Sequence, residues 1–222
     1  MRRFHERKKS AVTVALVPVG DPSHYGLVRM DPDGRILEFS EKREAEGTGK
    51  KRFLINAGIY IFENRMLDFI PRGRFFSVEK DLFPFLLGKK MPLYGFVLPG
   101  SRYWIDIGTP KKYLEANLDL LDPRLCRRFL GEGPGPEGAG TRVHPSARVI
   151  RSVLGKDCRV GPGAVLEDCV LLDRAVVEEG ARLRGVVAGR RARVGAFCML
   201  KGGVFLGEDS RISPFTRSIP FP

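Results

Sequence analysis

The chain has 222 residues, 43% of them hydrophobic, and carries 38 Lys and Arg against 26 Asp and Glu, a formal charge of +12. That length and apolar fraction exclude a disordered chain and allow one or two domains, and no stretch approaches the ~20 apolar residues of a membrane span, so a cytoplasmic protein without a membrane partner is expected. The positive balance suits anionic partners such as phosphorylated metabolites, but the arginines are dispersed and no zinc-knuckle, RRM or helix-turn-helix pattern accompanies them, so nucleic acid is not expected.

Taken in chain order, residues 11–19 (AVTVALVPV) read as a buried strand, followed by a hairpin of residues 25–30 and 35–40 around the Asp31-Pro32-Asp33-Gly34 turn. Residues 53–62 carry the longest strand pattern. Asn56-Ala57-Gly58 interrupts its middle, where a glycine marks either a bulge or the close approach of a ligand to the backbone. Residues 64–70 and 77–87 read as helical, the second with Ser77 as N-cap and Glu79 in its first turn. A strand is expected at 93–98 and a helix at 110–121, ended by Asp122-Pro123. Between them runs Tyr103-Trp104-Ile105-Asp106-Ile107-Gly108-Thr109-Pro110. Trp104, Ile105 and Ile107 suggest a short buried strand, Gly108 its exit, Thr109 an N-cap and Pro110 the first helical residue. Asp106 would then be a carboxylate at a strand end, held by backbone N–H groups or bound to a cation. Alternating strands and helices over residues 1–122 imply an α/β layer domain.

Residues 131–140 (GEGPGPEGAG) have linker composition, and 123–141 are assigned to a linker. Beyond it, four rows of 17 residues begin at Val143, Val160, Val177 and Val194. Val149, Leu166, Leu183 and Leu200 form a second apolar column, and Leu154, Leu171, Ala188 and Phe205 a third. Small residues accompany them: Ala147, Ala164, Ala181 and Cys198, then Val153, Val170, Val187 and Val204. Three apolar columns with small inner neighbours describe a triangular prism over residues 142–212, the hexapeptide-repeat parallel β-helix, usually left-handed, with 213–222 as a tail. The four cysteines fit no CxxC pattern. Cys158 and Cys198 fall on inner positions, whereas Cys169 falls at a turn and its role stays open.

Four short motifs carry a resemblance. Tyr25-Gly26-Leu27-Val28, Phe39-Ser40-Glu41-Lys42, the strand from Ile55 through Asn56-Ala57-Gly58 to Tyr60, and Trp104-Ile105-Asp106-Ile107-Gly108-Thr109 occur in this order. Together with the Ser77-Val78-Glu79-Lys80-Asp81 helix and Phe83-Pro84, they resemble the sugar nucleotidyltransferases, or NDP-sugar pyrophosphorylases, most closely those that act on mannose 1-phosphate. The fold that the resemblance implies is α/β, the C-terminal part of a Rossmann-like nucleotidyltransferase domain followed by a left-handed parallel β-helix of about four coils. Glu41 would accept hydrogen bonds from sugar hydroxyls and Lys42 would neutralise the sugar phosphate. Tyr25, Gly26, Asn56, Ala57, Gly58 and Trp104 would complete the sugar-phosphate site, the glycines letting the ring lie against the sheet. Asp106 would hold Mg²⁺ across phosphate oxygens while the sugar phosphate attacks the nucleotide α-phosphorus in line and pyrophosphate leaves.

Two departures qualify what the resemblance implies. Arg43 stands where the family usually has proline. The family's glycine-rich G-x-G-T-R-L-x-P loop, its base-reading strand and its second metal-binding Asp have no counterpart in these residues. The expectation is therefore a truncated or split enzyme with no complete catalytic set and an incomplete Mg²⁺ site, acting on mannose or glucose 1-phosphate with a partner chain that supplies the nucleotide half. One alternative is a non-catalytic regulatory or assembly subunit in a homo- or hetero-oligomer. The other is an acyltransferase, for which His144 is the histidine of the repeat, without an inserted loop to form an acceptor site.

Overall fold

The computed structural model describes residues 1–21, 25–40, 53–100, 103–131 and 137–218. They fall into two compact units, Met1–Trp104 and Ile105–Pro222.

The first unit is a five-stranded sheet of β1 (Val12–Val19), β2 (Leu27–Met30), β3 (Ile36–Ser40), β4 (Phe53–Phe62) and β5 (Leu93–Val97), in the order β3-β2-β4-β1-β5. The sheet is mixed rather than parallel. Only β1 and β5 run parallel, while β4 is antiparallel to both β1 and β2. Side-chain alternation is the same for either strand direction, so the pattern that located these strands carried no information on how they run. Ala11, Val12, Val14, Leu16 and Leu93 bury the sheet's core together with Leu82, Phe83 and Leu86. The last three come from a π-helical turn, Val78–Leu82, that runs into α2 (Phe83–Gly88). Ser77 caps that turn by accepting from Lys80 N–H, and the Asp81 carboxylate accepts from Ser77 N–H at 2.7 Å. The fully buried Phe83 ring lies 4.9 Å from Phe39 and 5.3 Å from Tyr60, clamping the helix to β3 and β4.

The β2–β3 turn, with Gly34 at φ 85°, meets the edge strand β5 at one point, where Gly95 N–H donates to Gly34 O at 2.9 Å and Arg35 pairs with Tyr94. An added Cβ at Gly95 would come within 2.5 Å of Leu16, which explains the glycine there. Phe4 of the helix α1 (Arg2–Lys8) packs edge-on against Tyr94 and Phe96.

In the second unit, α3 (Pro110–Asp119) and α4 (Pro123–Leu130) precede the coils. The second helix takes up residues that composition had assigned to the linker. Asp122 accepts from Arg124 N–H at 2.7 Å and Pro123 sits at the first helical position, a local cap that outweighs the neighbouring Gly and Pro.

The remainder is a parallel β-solenoid with three sheets. One face holds β6 (Arg142–Val143), β9 (Arg159–Val160), β12 (Val176–Val177), β15 (Arg193–Val194) and β18 (Arg211–Ile212). The second holds β7 (Arg148–Ile150), β10 (Val165–Glu167), β13 (Arg182–Arg184) and β16 (Met199–Lys201). The third holds β8 (Val153–Leu154), β11 (Val170–Leu171), β14 (Val187–Ala188) and β17 (Phe205–Leu206), with α3 lying against β11. Val143, Val160, Val177 and Val194 pair in register, as do Val149, Leu166, Leu183 and Leu200, and both columns pack into the interior.

The 17-residue period fails in the last row. Ala188 pairs with Leu206, and Phe205 pairs with Val187. Earlier rows turn this corner on a single residue at positive φ, namely Arg151, Asp168 and Gly185, whereas the last uses Gly202 and Gly203 in tandem. The extra residue turns Phe205 outward. The inner column beside it is consequently Ser152, Cys169, Val186 and Val204, one residue before the assignment made from the sequence for the first three rows. Cys169 is therefore interior and buried, its thiol pushed up to about 11 by burial, and Ser152 is satisfied by Ile150 O and Cys169 N–H.

Two outcomes test this packing. Leu183→Ala, between Leu166 and Leu200, should lower the unfolding free energy by about 2–5 kcal/mol in denaturant titration, while Met199→Ala, on the outer side of its strand, should cost less than about 1 kcal/mol. A thiol reagent at mildly alkaline pH should modify Cys126 in the native protein and reach the buried Cys158, Cys169 and Cys198 only on unfolding.

Candidate functional site

The most irregular place in the first unit is the pairing of β1 with β4. Val14 pairs with Tyr60 and Leu16 with Asn56, so Ala57, Gly58 and Ile59 stand opposite Ala15 alone. Such a bulge must turn the chain sharply, and Gly58 does so at φ 72° with its backbone exposed. The bulge draws together two side chains that a regular strand would hold more than 10 Å apart. Asn56 Nδ2 donates to Tyr60 Oη at 2.8 Å and to Glu79 Oε1 at 2.6 Å, and Tyr60 Oη donates to the same Glu79 oxygen at 3.0 Å. Asn56 Oδ1 accepts from Gly58 N–H at 2.9 Å, so the amide is engaged at both ends and pins the kink.

Aromatic residues close the other side. Trp104 Nε1 donates to Ala57 O at 3.3 Å, and Tyr25 meets the indole edge-on with 6.2 Å between centroids. The pairing of Leu27 with Ile55 brings the Tyr25-Gly26 end of β2 alongside Asn56. A Cβ at Gly26 or at Gly58 would meet no atom within 4 Å. Two bare backbone segments thus lie between a polar triad and a pair of rings. Hydrogen-bonding groups beside aromatic faces suit a ligand rich in hydroxyls, with apolar C–H faces between them.

Of the residues singled out from sequence, Tyr25, Gly26, Asn56, Ala57, Gly58 and Trp104 come together here, whereas Glu41 and Lys42 lie outside the described residues. Tyr60 and Glu79 were not recognised as site residues. Tyr60 read as a strand aromatic and Glu79 as first-turn charge, and only the bulge, which Gly58 signals, brings them onto Asn56.

Asp106 belongs to the second unit and departs from its expected setting. Residues 103–108 form no strand, Asp106 is exposed, and Ile107 is 56% exposed. A five-residue apolar pattern makes a strand only with a neighbour to pair with, and none is present among the described residues. As one of the two expectations had it, the carboxylate accepts from a backbone N–H, that of Gly108 at 3.0 Å, and stabilises the turn into α3, where Thr109 Oγ1 accepts from Lys112 N–H. Lone pairs beyond that bond leave Asp106 suited to contribute one oxygen to a hard cation. Among the described residues no group of three or more His, Cys, Asp or Glu side chains is arranged to hold a metal. His144 is occupied in a local turn, its Nδ1 lying 2.8 Å from Ser146 Oγ.

Residues 1–123 match the family model "Nucleotidyl transferase", and residues 138–216 match the "GMPPB C-terminal domain". Mannose-1-phosphate guanylyltransferase of Mycobacterium tuberculosis is 39% identical over 184 residues, 80% of this chain and 49% of that protein. A probable mannose-1-phosphate guanylyltransferase 3 of Oryza sativa is 34% identical over 221 residues, 95% of this chain and 58% of the relative. UTP–glucose-1-phosphate uridylyltransferase of Synechocystis is 31% identical over 207 residues, 82% of this chain and 52% of the relative. The chain thus spans about half the length of the curated relatives it matches. It belongs to the nucleotidyl transferase family. No helix among the described residues is long and apolar enough to cross a membrane.

The triad has a spectroscopic signature. Burial, reinforced by Glu79 and opposed by the Asn56 hydrogen bond, pushes the Tyr60 phenol from its ordinary 10 up to about 12. The unfolded chain therefore loses this proton first, and Tyr60 contributes a fall in stability as pH rises from about 10 to about 12. Ultraviolet titration of tyrosinate should show a last step near 12 that Tyr60→Phe removes.

Proposed function

We propose that this member of the nucleotidyl transferase family binds a sugar 1-phosphate, mannose 1-phosphate ahead of glucose 1-phosphate. It would orient the phosphate for the reaction NTP + sugar 1-phosphate → NDP-sugar + pyrophosphate. The observation that carries the reading is the Gly58 bulge, which sets exposed backbone between the Asn56–Tyr60–Glu79 triad and the Tyr25–Trp104 rings. The names of the relatives, which specify mannose and glucose 1-phosphates, support the choice of sugar.

Each group then has a task. The exposed backbone at Gly26 and Gly58 lets the ring approach without meeting a Cβ. Glu79 and Asn56 hold each other in a fixed orientation, so that hydrogen bonding to sugar hydroxyls requires little reorganisation. Trp104 and Tyr25 cover the C–H face of the ring. Glu41 and Lys42 follow β3 and would take a hydroxyl and the phosphate. The chemical step asks the protein chiefly for positioning and for neutralisation of phosphate charge. Mg²⁺ would neutralise phosphate oxygens when bound, and Asp106 would be the residue of this chain that helps hold it. The nucleotide would be held by a glycine-rich segment not among these 222 residues.

A second reading, favoured by the solenoid, is a subunit that binds the sugar phosphate without turnover and serves assembly in a homo- or hetero-oligomer. Calorimetric titration should show mannose 1-phosphate binding that Asn56→Ala weakens by roughly tenfold, the loss of about one buried polar contact. Gly58→Val should abolish it, because a β-branched residue is strained at φ 72°. The absence of binding by either sugar phosphate to the parent chain would remove the reading. Pyrophosphate release on addition of a segment carrying the nucleotide loop separates the enzyme from the assembly subunit.

A further inference from the structure

The solenoid gathers arginines that are 17, 34 and 18 residues apart in sequence. On its first face Arg142, Arg159, Val176, Arg193 and Arg211 pair side by side on successive strands, opposite in direction to the inward Val143, Val160, Val177, Val194 and Ile212. With strands about 4.8 Å apart, the row is about 19 Å long. All four arginines are exposed, and none has an ion-pair partner among the described residues. Like charges in register on neighbouring strands destabilise a sheet. Most acids near the row pair elsewhere, Asp168 with Arg151, Glu167 with Arg184 and Glu208 with Arg191, while Asp209 pairs with Arg191 and also feels the Arg211 charge, which helps hold its carboxyl below the usual range. Glu178 accepts from Ala196 N–H, and Glu179 is exposed at the third coil's corner.

A second unfavourable feature adjoins the row. Four residues after Arg193 and after Arg211 stand Phe197 and Phe215, at φ 57° and 63°, where the two preceding coils have Gly163 and Gly180. A bulky side chain in left-handed backbone costs energy that ordinary packing should repay. These rings repay little by burial, since Phe197 is 46% and Phe215 70% exposed. They stack on each other instead, centroids 5.4 Å apart and planes at 15°. Beyond them, on the second face, Arg182 and Arg217 flank the partly exposed Met199.

We propose that this face is a docking track for single-stranded nucleic acid, with backbone phosphates along Arg142, Arg159, Arg193 and Arg211 and bases against the Phe197–Phe215 stack. A linear array of guanidinium forks matches a linear array of phosphates. An adjoining pair of stacked, exposed rings provides a platform for bases and has no counterpart in the binding of a phosphate chain alone.

Fluorescence anisotropy with a labelled oligouridylate of about 20 nucleotides tests the assignment, at about 50 and about 200 mM salt. The full chain should bind the oligomer. Combined Arg159→Gln, Arg193→Gln and Arg211→Gln should weaken binding at least about tenfold and reduce the slope of log K against log salt by about 2. The same charge change in α1 (Arg2→Gln, Arg3→Gln, Arg7→Gln) should weaken it less than about threefold. Phe215→Ala should cost about fivefold or more for the oligomer and nothing for inorganic polyphosphate. The row variant should melt no lower than the parent, because like charges have been removed. The proposal is overturned by absence of oligomer binding at low salt, by equal losses from the α1 and row variants, or by a Phe215→Ala protein that binds the oligomer normally. A lower melting temperature of the row variant, or tighter binding to phosphatidylserine vesicles than to the oligomer, would overturn it as well.

Discussion

Three residues of β4 stand opposite one residue of β1, and the arrangement of the candidate site follows from that mismatch. The strands can resume pairing only if Ala57, Gly58 and Ile59 leave the ladder, and they can leave it only because Gly58 takes a positive φ. Once they do, Asn56 and Tyr60 converge on one side and Ala57 O becomes available to the Trp104 indole. Glu79 completes the arrangement from a capped helical turn, whose position depends in turn on Phe83 packing between Phe39, Tyr60 and Phe62. Sheet, helix and site are thus coupled through Tyr60, which belongs to both the aromatic cluster and the polar triad.

The second unit depends on a different rule, the repetition of one coil. Each coil hands its backbone hydrogen bonds to the next, as in Arg159 N–H to Ala175 O and Val176 N–H to Ala192 O, and stacks like on like in the interior. Repetition is favourable inside, where Leu lies on Leu, and unfavourable outside, where arginine lies beside arginine. The exterior therefore says more than the core about what the solenoid has been shaped to meet. The tandem glycines of the last row show how the rule is relaxed: one added corner residue leaves the inner column intact and turns Phe205 to solvent.

Much of the candidate site was legible because glycine leaves a mark in a strand. Gly58 and Gly26 interrupt apolar patterns, and the motifs around them pointed to the family before any contact was known. Glu79 and Tyr60 were not legible, since their partner Asn56 is 23 residues from one and reaches the other only across the bulge. Asp106 misled for a related reason. Its apolar neighbours suggested burial, but burial needs a strand beside it; the backbone N–H partner expected of the carboxylate is found in Gly108, in an exposed turn. The arginine row was hidden by its own regularity. Spaced 17 or more residues apart, its members look dispersed along the chain and become neighbours only when coils stack.

The sequence by itself determined the positions of most strands, the capped helices at Ser77 and Thr109, the repeating coils and the family to which residues 1–123 belong, because periodicity, caps and short motifs are local properties. Tertiary structure alone decided strand direction, the bulge register, the shift in the last coil and which charges stand side by side. These depend on pairings between residues distant in sequence, where one inserted glycine or one missing neighbour changes the outcome without altering the local pattern.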